Sequence, residues 1–362
     1  MRLEDLLSKK VKAMEVENPI SISQLLDKMS KTGYQGRKLA EVTNIIEKMI
    51  NDKDVTIMMG LAGSMSTAGQ WEIINWFIEN NFIDVLVSTG ANISEDIVEA
   101  MGFSYFQGKH SADDEELFNL GLNRYYDVYG REDDYVAMTE LIAEFIGTLD
   151  EDHKYSSKEF LYLFGNYLSR KKIASIVATA AENKVPIFCP AIADSPYGDA
   201  ALIAKNRGFH LTIDAIKDYI EFMNLAEQVK ETGVIYIGGG VPKDFIQLFA
   251  VTPDLLFGER VVLYKGKTPK RCELIDGSYY PHKYAVQITT DSPQWGGLSG
   301  CTFEEAISWG KESGKENFAQ CYCDATIALP IVAHALKERI KFKRDSSPFR
   351  TKEEFFLSKA IQ

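Results

Sequence analysis

The sequence predicts an α/β protein: one doubly wound domain around a mostly parallel sheet, entered through a helical preface. Three observations carry this. From residue 55 onward, short apolar runs bounded by glycine, serine or aspartate alternate with longer amphipathic segments. The first fifty residues instead space their apolar side chains by three and four. No internal repeat or low-complexity linker interrupts the 362 residues, a length that suits one large α/β domain or two smaller ones.

The preface comprises helices over Ser21 to Ser30 and Lys38 to Ile50, separated by Thr32-Gly33-Tyr34. Strands are expected at 55–59 (VTIMM), 84–88 (DVLVS), 185–189 (VPIFC), 234–237 (VIYI), 284–289 (YAVQIT) and 319–323 (AQCYC). Helices are expected at 69–80, 93–101, 135–147, 211–229 and 325–341. Residues 1–54 thus pack as a helical segment on a single α/β domain spanning 55–362. Residues 251–283 are the least regular part and read as an insertion, with VVLYKGKTPKRCELIDG as a protruding hairpin.

One more helix should begin at Thr302, because Thr302 and Glu305 have capping-box spacing. It sets Glu305 and Trp309 one turn apart, with Glu304, Ser308 and Lys311 on an adjoining stripe. Two carboxylates, an indole and an amine in two turns can grip an alkylammonium ion by charge and cation–π contact. An indole that excludes water would also leave Lys311 a neutral nucleophile. The bland alternative is a capped surface helix with a solvated lysine. Gly310 inside that helix costs about 1 kcal/mol relative to alanine, which points to close approach there.

The net charge of -12 opposes nucleic acid and anionic membrane surfaces and suits a cationic partner. Cysteines at 189, 272, 301, 321 and 323 lack the paired spacing of a zinc site, so no metal is expected and the thiols read as reduced. The amino terminus has no apolar core of signal-peptide length, and no later run approaches a membrane span. A soluble cytoplasmic protein is the expectation. His334 sits in an apolar helix and is expected to pack.

In an open parallel sheet, ligands bind beyond the carboxyl ends of the strands. Four of the expected strands exit into suitable chemistry. The first leads to Gly60 through Gly69, with Gly63, Ser64 and Thr67; the second to Thr89-Gly90-Ala91-Asn92, then Glu95 and Asp96. The third leads to Pro190 through Asp199, with Asp194; the fourth to Gly238-Gly239-Gly240-Val241-Pro242-Lys243. None is a full dinucleotide fingerprint, since Lys243 stands where the last glycine of GxGxxG belongs. Singly, each has a structural explanation: Asn92 and Glu95 a capping box, Asp194 a turn former, Asp199 a first-turn helix acid, the glycines tight strand exits. Their recurrence at one edge of one sheet points to a cofactor crevice.

Together these residues resemble the deoxyhypusine synthases and their homospermidine synthase relatives, from TGYQ (32–35) to the last helix. The most specific matches are VSTGANISED (87–96), the Pro190 to Asp199 segment, GGGVPK (238–243), SWGK (308–311) and the aspartate of CDAT (323–326). The resemblance implies a Rossmann-like, NAD-binding catalytic domain in a homotetramer, with sites between paired subunits. It implies a transferase that oxidises spermidine with NAD, passes the aminobutyl group to an enzyme lysine as an imine, and delivers it to an acceptor amine. By motif, Lys311 corresponds to the imine-forming lysine, Glu95 to an active-site acid beside it, and Asp199, Glu305 and Trp309 to polyamine-holding residues. Gly63, Ser64, Thr67, Thr89, Gly90, Asp194, Gly239, Gly240 and Asp324 fall in the motifs of the NAD pocket.

The chain also departs from the pattern. Asp244 stands where histidine follows GGGxxK, and Trp295 and Leu298 replace an expected pair of acids. These changes resemble a prokaryotic deoxyhypusine-synthase-like branch and bear on the amine that is bound, with Asp244 placed among the substrate contacts. The acceptor expected first is a protein lysine of the hypusine-bearing translation factor. Putrescine, giving homospermidine, is the alternative. A non-catalytic oligomer that binds NAD or polyamine and regulates a partner, and an ordinary dehydrogenase, are the alternatives of other classes.

Overall fold

Six parallel strands form the central sheet of the computed structural model, which describes residues 7–16, 18–257, 281–312 and 317–357. They are β1 (Val55–Leu61), β2 (Val85–Ser88), β3 (Ile187–Phe188), β4 (Glu231–Ile237), β5 (Tyr284–Thr289) and β6 (Phe318–Tyr322), in the spatial order β6-β5-β4-β1-β2-β3. Chain order therefore reverses between β1 and β4, which pair in register from Val55 with Glu231 to Leu61 with Ile237. This is the strand order of dinucleotide-binding folds, and the reversal opens a crevice where their ligands sit. Every residue of β1, β2 and β5 is buried, so these strands read as continuous apolar runs.

Helices cover both faces. The preface supplies α1 (Ile22–Met29), started by a capping box between Ser21 and Gln24, and α2 (Tyr34–Asn51). Helix α2 begins four residues earlier than expected, because its polar first turn, Tyr34-Gln35-Gly36-Arg37, shows no apolar periodicity. That turn serves the exposed sheet edge: Gln35 Oε1 accepts from the backbone N–H of Tyr322 at 2.7 Å. Further along the chain are α3 (Trp71–Glu79), α4 (Asp96–Ala100), α5 (Glu132–Ile146), α6 (Ser157–Arg170), α7 (Ile176–Glu182) and α8 (Pro196–Asn206). They are followed by α9 (Ala215–Asn224), α10 (Gly240–Phe249), α11 (Phe303–Ser308) and α12 (Ala325–Arg339).

One apolar cluster joins α1, α2, α3, α6, α7 and α12 to one sheet face; a second, rich in phenylalanine (Phe188, Phe222, Phe245, Phe249, Phe303), fills the other face beneath α9 and α10. Helix α9 starts at 215, not 211, because the Asp214 carboxylate accepts from the N–H groups of Ile216 and Lys217, while Thr212–Ile213 pairs with Lys154–Tyr155. The sequence also concealed a small antiparallel sheet of Phe106–Gln107, Leu122–Tyr125 and Val128–Arg131. Its strands are short, charged and half-exposed. His334 faces solvent on α12 instead of packing. The hairpin expected within 261–277 lies outside the described residues. Among the described residues, no helix is long and apolar enough to cross a membrane.

Candidate active site

The loops after β1 and β4 leave the sheet on either side of the point where chain order reverses. Gly63 after β1 and Gly240 after β4 have φ of +73° and +59°, and nothing lies within 4 Å of where a Cβ would stand on either. That leaves open backbone at the reversal point. Gly239 and Gly90 have the opposite reason to be glycine. A Cβ on Gly239 would overlap Ser299, and one on Gly90 would overlap Ser195, so each fixes close approach between two neighbouring loops. Asp194 and Asp324 are exposed, Asp324 Oδ1 also capping α12 through the Thr326 N–H at 2.7 Å. Open backbone is what the phosphates of a dinucleotide require and exposed carboxylates what its ribose hydroxyls require; here Asp194 follows one edge strand of the sheet and Asp324 the other.

The residue that organises the β1 and β2 loops was not singled out by sequence. Asn92, fully buried, accepts from the Met65 N–H at 2.7 Å and donates to Gly63 O at 2.8 Å and Thr89 Oγ1 at 2.7 Å. It clamps the two loops and is no capping-box partner of Glu95. Its amide bonds to Met65 and Gly63 span 27 and 29 residues of sequence, which no local spacing reveals. Thr89 in turn donates to Gly63 O at 2.8 Å.

Glu95 is buried beside this clamp, 6 % exposed, and its Oε2 accepts from Ser64 Oγ. Burial pushes its carboxyl above the ordinary range, and the Ser64 hydroxyl opposes that rise. Thr67 Oγ1 lies 2.8 Å from Ser64 Oγ. Next to it, Asp96 is completely buried and accepts from the Ile176 N–H at 2.5 Å; desolvation pushes its carboxyl up to about 7. Three tyrosines complete this end. Tyr105 OH donates to Glu95 O at 3.0 Å, Tyr125 packs edge-on against Tyr105, and Tyr135 OH donates to Asp199 Oδ2 at 2.9 Å in the first turn of α8.

A second group gathers around Lys311. Its Nζ is 3.0 Å from Asp244 Oδ1, the fifth residue of α10, and 5.7 Å from the centroid of the Trp309 ring. The Lys311 side chain is 12 % exposed. Helix α11 does start at Thr302, whose hydroxyl accepts from the Glu305 N–H at 3.2 Å. It ends sooner than expected, at Ser308. Gly310, with φ of +73°, terminates it: the Gly310 and Lys311 N–H groups bond back to Ile307 O and Ala306 O. The glycine is thus a helix stop, not a point of close approach inside a helix, and Lys311 follows the helix instead of riding on it.

The indole does not seal the amine either, since Trp309 is 66 % exposed in the single chain, and Glu305 is exposed as well. Lys311 O accepts from the His282 N–H, just before β5 begins, so its main chain sits low beside the sheet while Nζ reaches toward Asp244. Lys243 braces this side. Fully buried, it donates to Cys301 O at 2.7 Å, Leu298 O at 3.3 Å and Gln287 Oε1 at 3.1 Å, tying α10 to the loop that leads into α11. The site residues therefore form two groups in one chain, one around Glu95 and Asp199, the other around Lys311 and Asp244. Among the described residues, no cluster of histidine, cysteine and acids could hold a metal ion.

Comparison with known proteins agrees with this architecture. The family model "Deoxyhypusine synthase" matches residues 24–336. "Probable deoxyhypusine synthase 2" of Methanosarcina mazei is 45% identical over 91% of this chain and 90% of its own length. The protein of the same name from Archaeoglobus fulgidus is 47% identical over 85% of this chain and 95% of its own. A "Deoxyhypusine synthase-like protein" of Coxiella burnetii is 35% identical over 95% and 93%. A crystal structure from Entamoeba histolytica titled for the same enzyme superposes with a TM-score of 0.61, covering 93% of this chain and 99% of that one at 18% identity, a likeness of fold.

Proposed function

The chain belongs to the deoxyhypusine synthase family, and from that premise we propose that it is an NAD-dependent transferase. It carries the 4-aminobutyl group of spermidine on Lys311 and delivers it to an acceptor amine, first a lysine of the hypusine-bearing translation factor. The observation that carries the reading is the Lys311–Asp244 pair, a shielded primary amine 3.0 Å from a carboxylate. Asp244 Oδ1 takes a proton from Nζ, and the freed amine adds to the oxidised carbon of the polyamine to form the lysine imine as the diamine fragment leaves. The acceptor amine then displaces Lys311, whose amine is regenerated.

NAD, when bound, supplies the hydride acceptor of the first step and the hydride donor of the last. Gly63, Ser64, Thr67, Thr89, Gly90, Asp194, Gly239, Gly240 and Asp324 would hold it. Glu305, Asp199 and Glu95 pair with ammonium groups, and the Trp309 ring lies against the alkyl chain or its cation. A homotetramer with sites between paired subunits would let a second copy bring the Glu95 group to face the Lys311 group and cover the exposed indole.

Purified protein is incubated with NAD and labelled spermidine, first with putrescine and then with the translation factor. Label on the protein supports the leading reading. Label only in a small polyamine would replace it with homospermidine synthesis, for which Trp295 and Leu298 in place of acids are the supporting departure. Borohydride trapping followed by peptide mass spectrometry should find an adduct on Lys311; binding with no adduct would favour a non-catalytic regulator. Stable release of NADH would instead mark an ordinary dehydrogenase.

A further inference from the structure

Glu95 is an acid in an environment that disfavours its charge. It is 6 % exposed, and the groups that face it offer no cation among the described residues. They are Asp96 on its own turn, Tyr105 before and Tyr125 within the small antiparallel sheet, Tyr135 on α5, and Ser64 on the β1 loop. Glu99, one turn on, is engaged by Trp71 Nε1 at 2.7 Å. A buried carboxylate so placed would take up a proton unless a donor reached it. Among the described residues, the one side-chain hydrogen bond it receives comes from Ser64 Oγ.

The Ser64 hydroxyl is itself oriented. Thr67 Oγ1 stands 2.8 Å from it, and Thr67 also lies 3.2 Å from Ser64 O, so the turn Ser64–Thr67 presents a hydroxyl pair that ends on Glu95. The Asn92 amide fixes the same turn from the β2 loop, at Gly63 O and the Met65 N–H. Loop, clamp and acid form one hydrogen-bonded unit.

We propose that Ser64 is a positioning residue whose hydroxyl holds Glu95 in its anionic form, with Thr67 orienting that hydroxyl, so that the β1 loop sets the affinity of the site for an ammonium group. Ser64 thereby acts on the polyamine end of the site through Glu95, beyond its place beside the dinucleotide crevice. The inference rests on the proposed function only for the identity of the cation.

The test needs no turnover. Protein labelled with carboxyl-13C glutamate is titrated by infrared spectroscopy, and subtraction of the Glu95→Gln spectrum isolates the Glu95 band. Loss of one hydrogen bond to a charged group should raise the Glu95 midpoint by about one pH unit or more in Ser64→Ala. Ser64→Thr, which keeps the hydroxyl, should titrate near the wild type. Thr67→Val should move the midpoint less, in the same direction. Should the alanine variant not fold, Ser64→Cys, a weaker donor, supplies the same comparison.

An unmoved midpoint in a folded Ser64 variant would overturn the proposal, as would Ser64→Thr shifting as far as alanine, which assigns the effect to packing. Spermidine affinity measured by calorimetry as a function of pH should fall about tenfold in Ser64→Ala at pH below the wild-type Glu95 midpoint and recover toward higher pH, a profile that simple loss of packing does not produce. A shifted midpoint without aminobutyl transfer would remove the proposed function alone. Transfer with an unshifted midpoint would remove this inference alone.

Discussion

Lys311 Nζ lies 3.0 Å from Asp244 Oδ1, linking the residue that follows the α11 helix stop to the fifth residue of α10. The pairing gives the departure from histidine at 244 a chemical use, since an aspartate can both hold an ammonium and receive its proton. Asp244→Asn keeps the shape and removes the base. It should slow borohydride-trappable adduct formation at Lys311 by about 100-fold, at the lower end of what a positioned base contributes. Lys311→Arg and Lys311→Ala should both abolish the adduct, because arginine stays protonated and cannot form an imine. Adduct formation at wild-type rate in Asp244→Asn, read by mass spectrometry over time, would exclude Asp244 as the base.

Asp96 should make the stability of the fold fall as pH rises. Desolvation lifts its carboxyl from an ordinary 3.8 to about 7, so between those values the folded state binds more protons than the unfolded one. Its contribution to stability is therefore full below about pH 4, declines through the window and is flat above about 7; complete loss amounts to roughly 4 kcal/mol at most. Asp96→Asn should flatten this slope, Asp218 and Glu95 adding smaller parts of the same sign. Urea unfolding of both proteins at pH 4, 5.5, 7 and 8 checks it; parallel curves would show that Asp96 is not the titrating group.

The fold was legible where burial is continuous. Runs such as Val55–Leu61 are enclosed on both faces and announce themselves in any window. The small antiparallel sheet was hidden because its strands are half-exposed and charged, whereas α6 carried a signal that went unread, the capping box of Ser156 and Glu159 at its start. The site was legible as motifs but not as geometry. Neighbours in sequence such as Glu305 and Trp309 suggested one compact cluster on a helix, yet Gly310 ends that helix and Lys311 finds its partner 67 residues away at Asp244. Asn92 reaches the β1 loop, and Tyr135 reaches Asp199, through such distant contacts.

Asp84 should be the most sensitive charge in the chain outside the site. Completely buried at the start of β2, it accepts from the Ile57 N–H at 2.9 Å, Arg344 at 2.7 Å and Arg350 at 3.5 Å, binding the carboxy-terminal segment across the amino edge of the sheet. Asp84→Asn leaves two buried guanidiniums without their counter-charge. A loss of about 3–5 kcal/mol is expected. Guanidinium or urea melts measure it, and a change below 1 kcal/mol would show that the arginines find other partners.

Gly239→Ala should separate the crevice from the fold. An added Cβ would overlap the backbone and Cβ of Ser299, and the loop carrying Ser299 cannot retreat freely. Ser299 O accepts from Gln287 Nε2 at 2.9 Å, Ser299 Oγ donates to Asp291 at 2.5 Å, and the carbonyls on either side, of Leu298 and Cys301, are held by Lys243. Overpacking of this kind costs about 1–3 kcal/mol, within what a domain of this size tolerates. The displacement falls on the wall of the crevice and on the chain entering α11. Gly239→Ala should therefore fold, with an unchanged circular dichroism spectrum and a lowered melting temperature, while its affinity for NAD drops at least about tenfold. Gly240→Ala meets no protein atom within 4 Å but is strained by its φ of +59° and sets a methyl on the open backbone of the crevice, so it should also weaken NAD binding, without the clash at Ser299. If calorimetry found wild-type NAD affinity in Gly239→Ala, the contact between the β4 exit and the Ser299 loop would not shape the dinucleotide crevice.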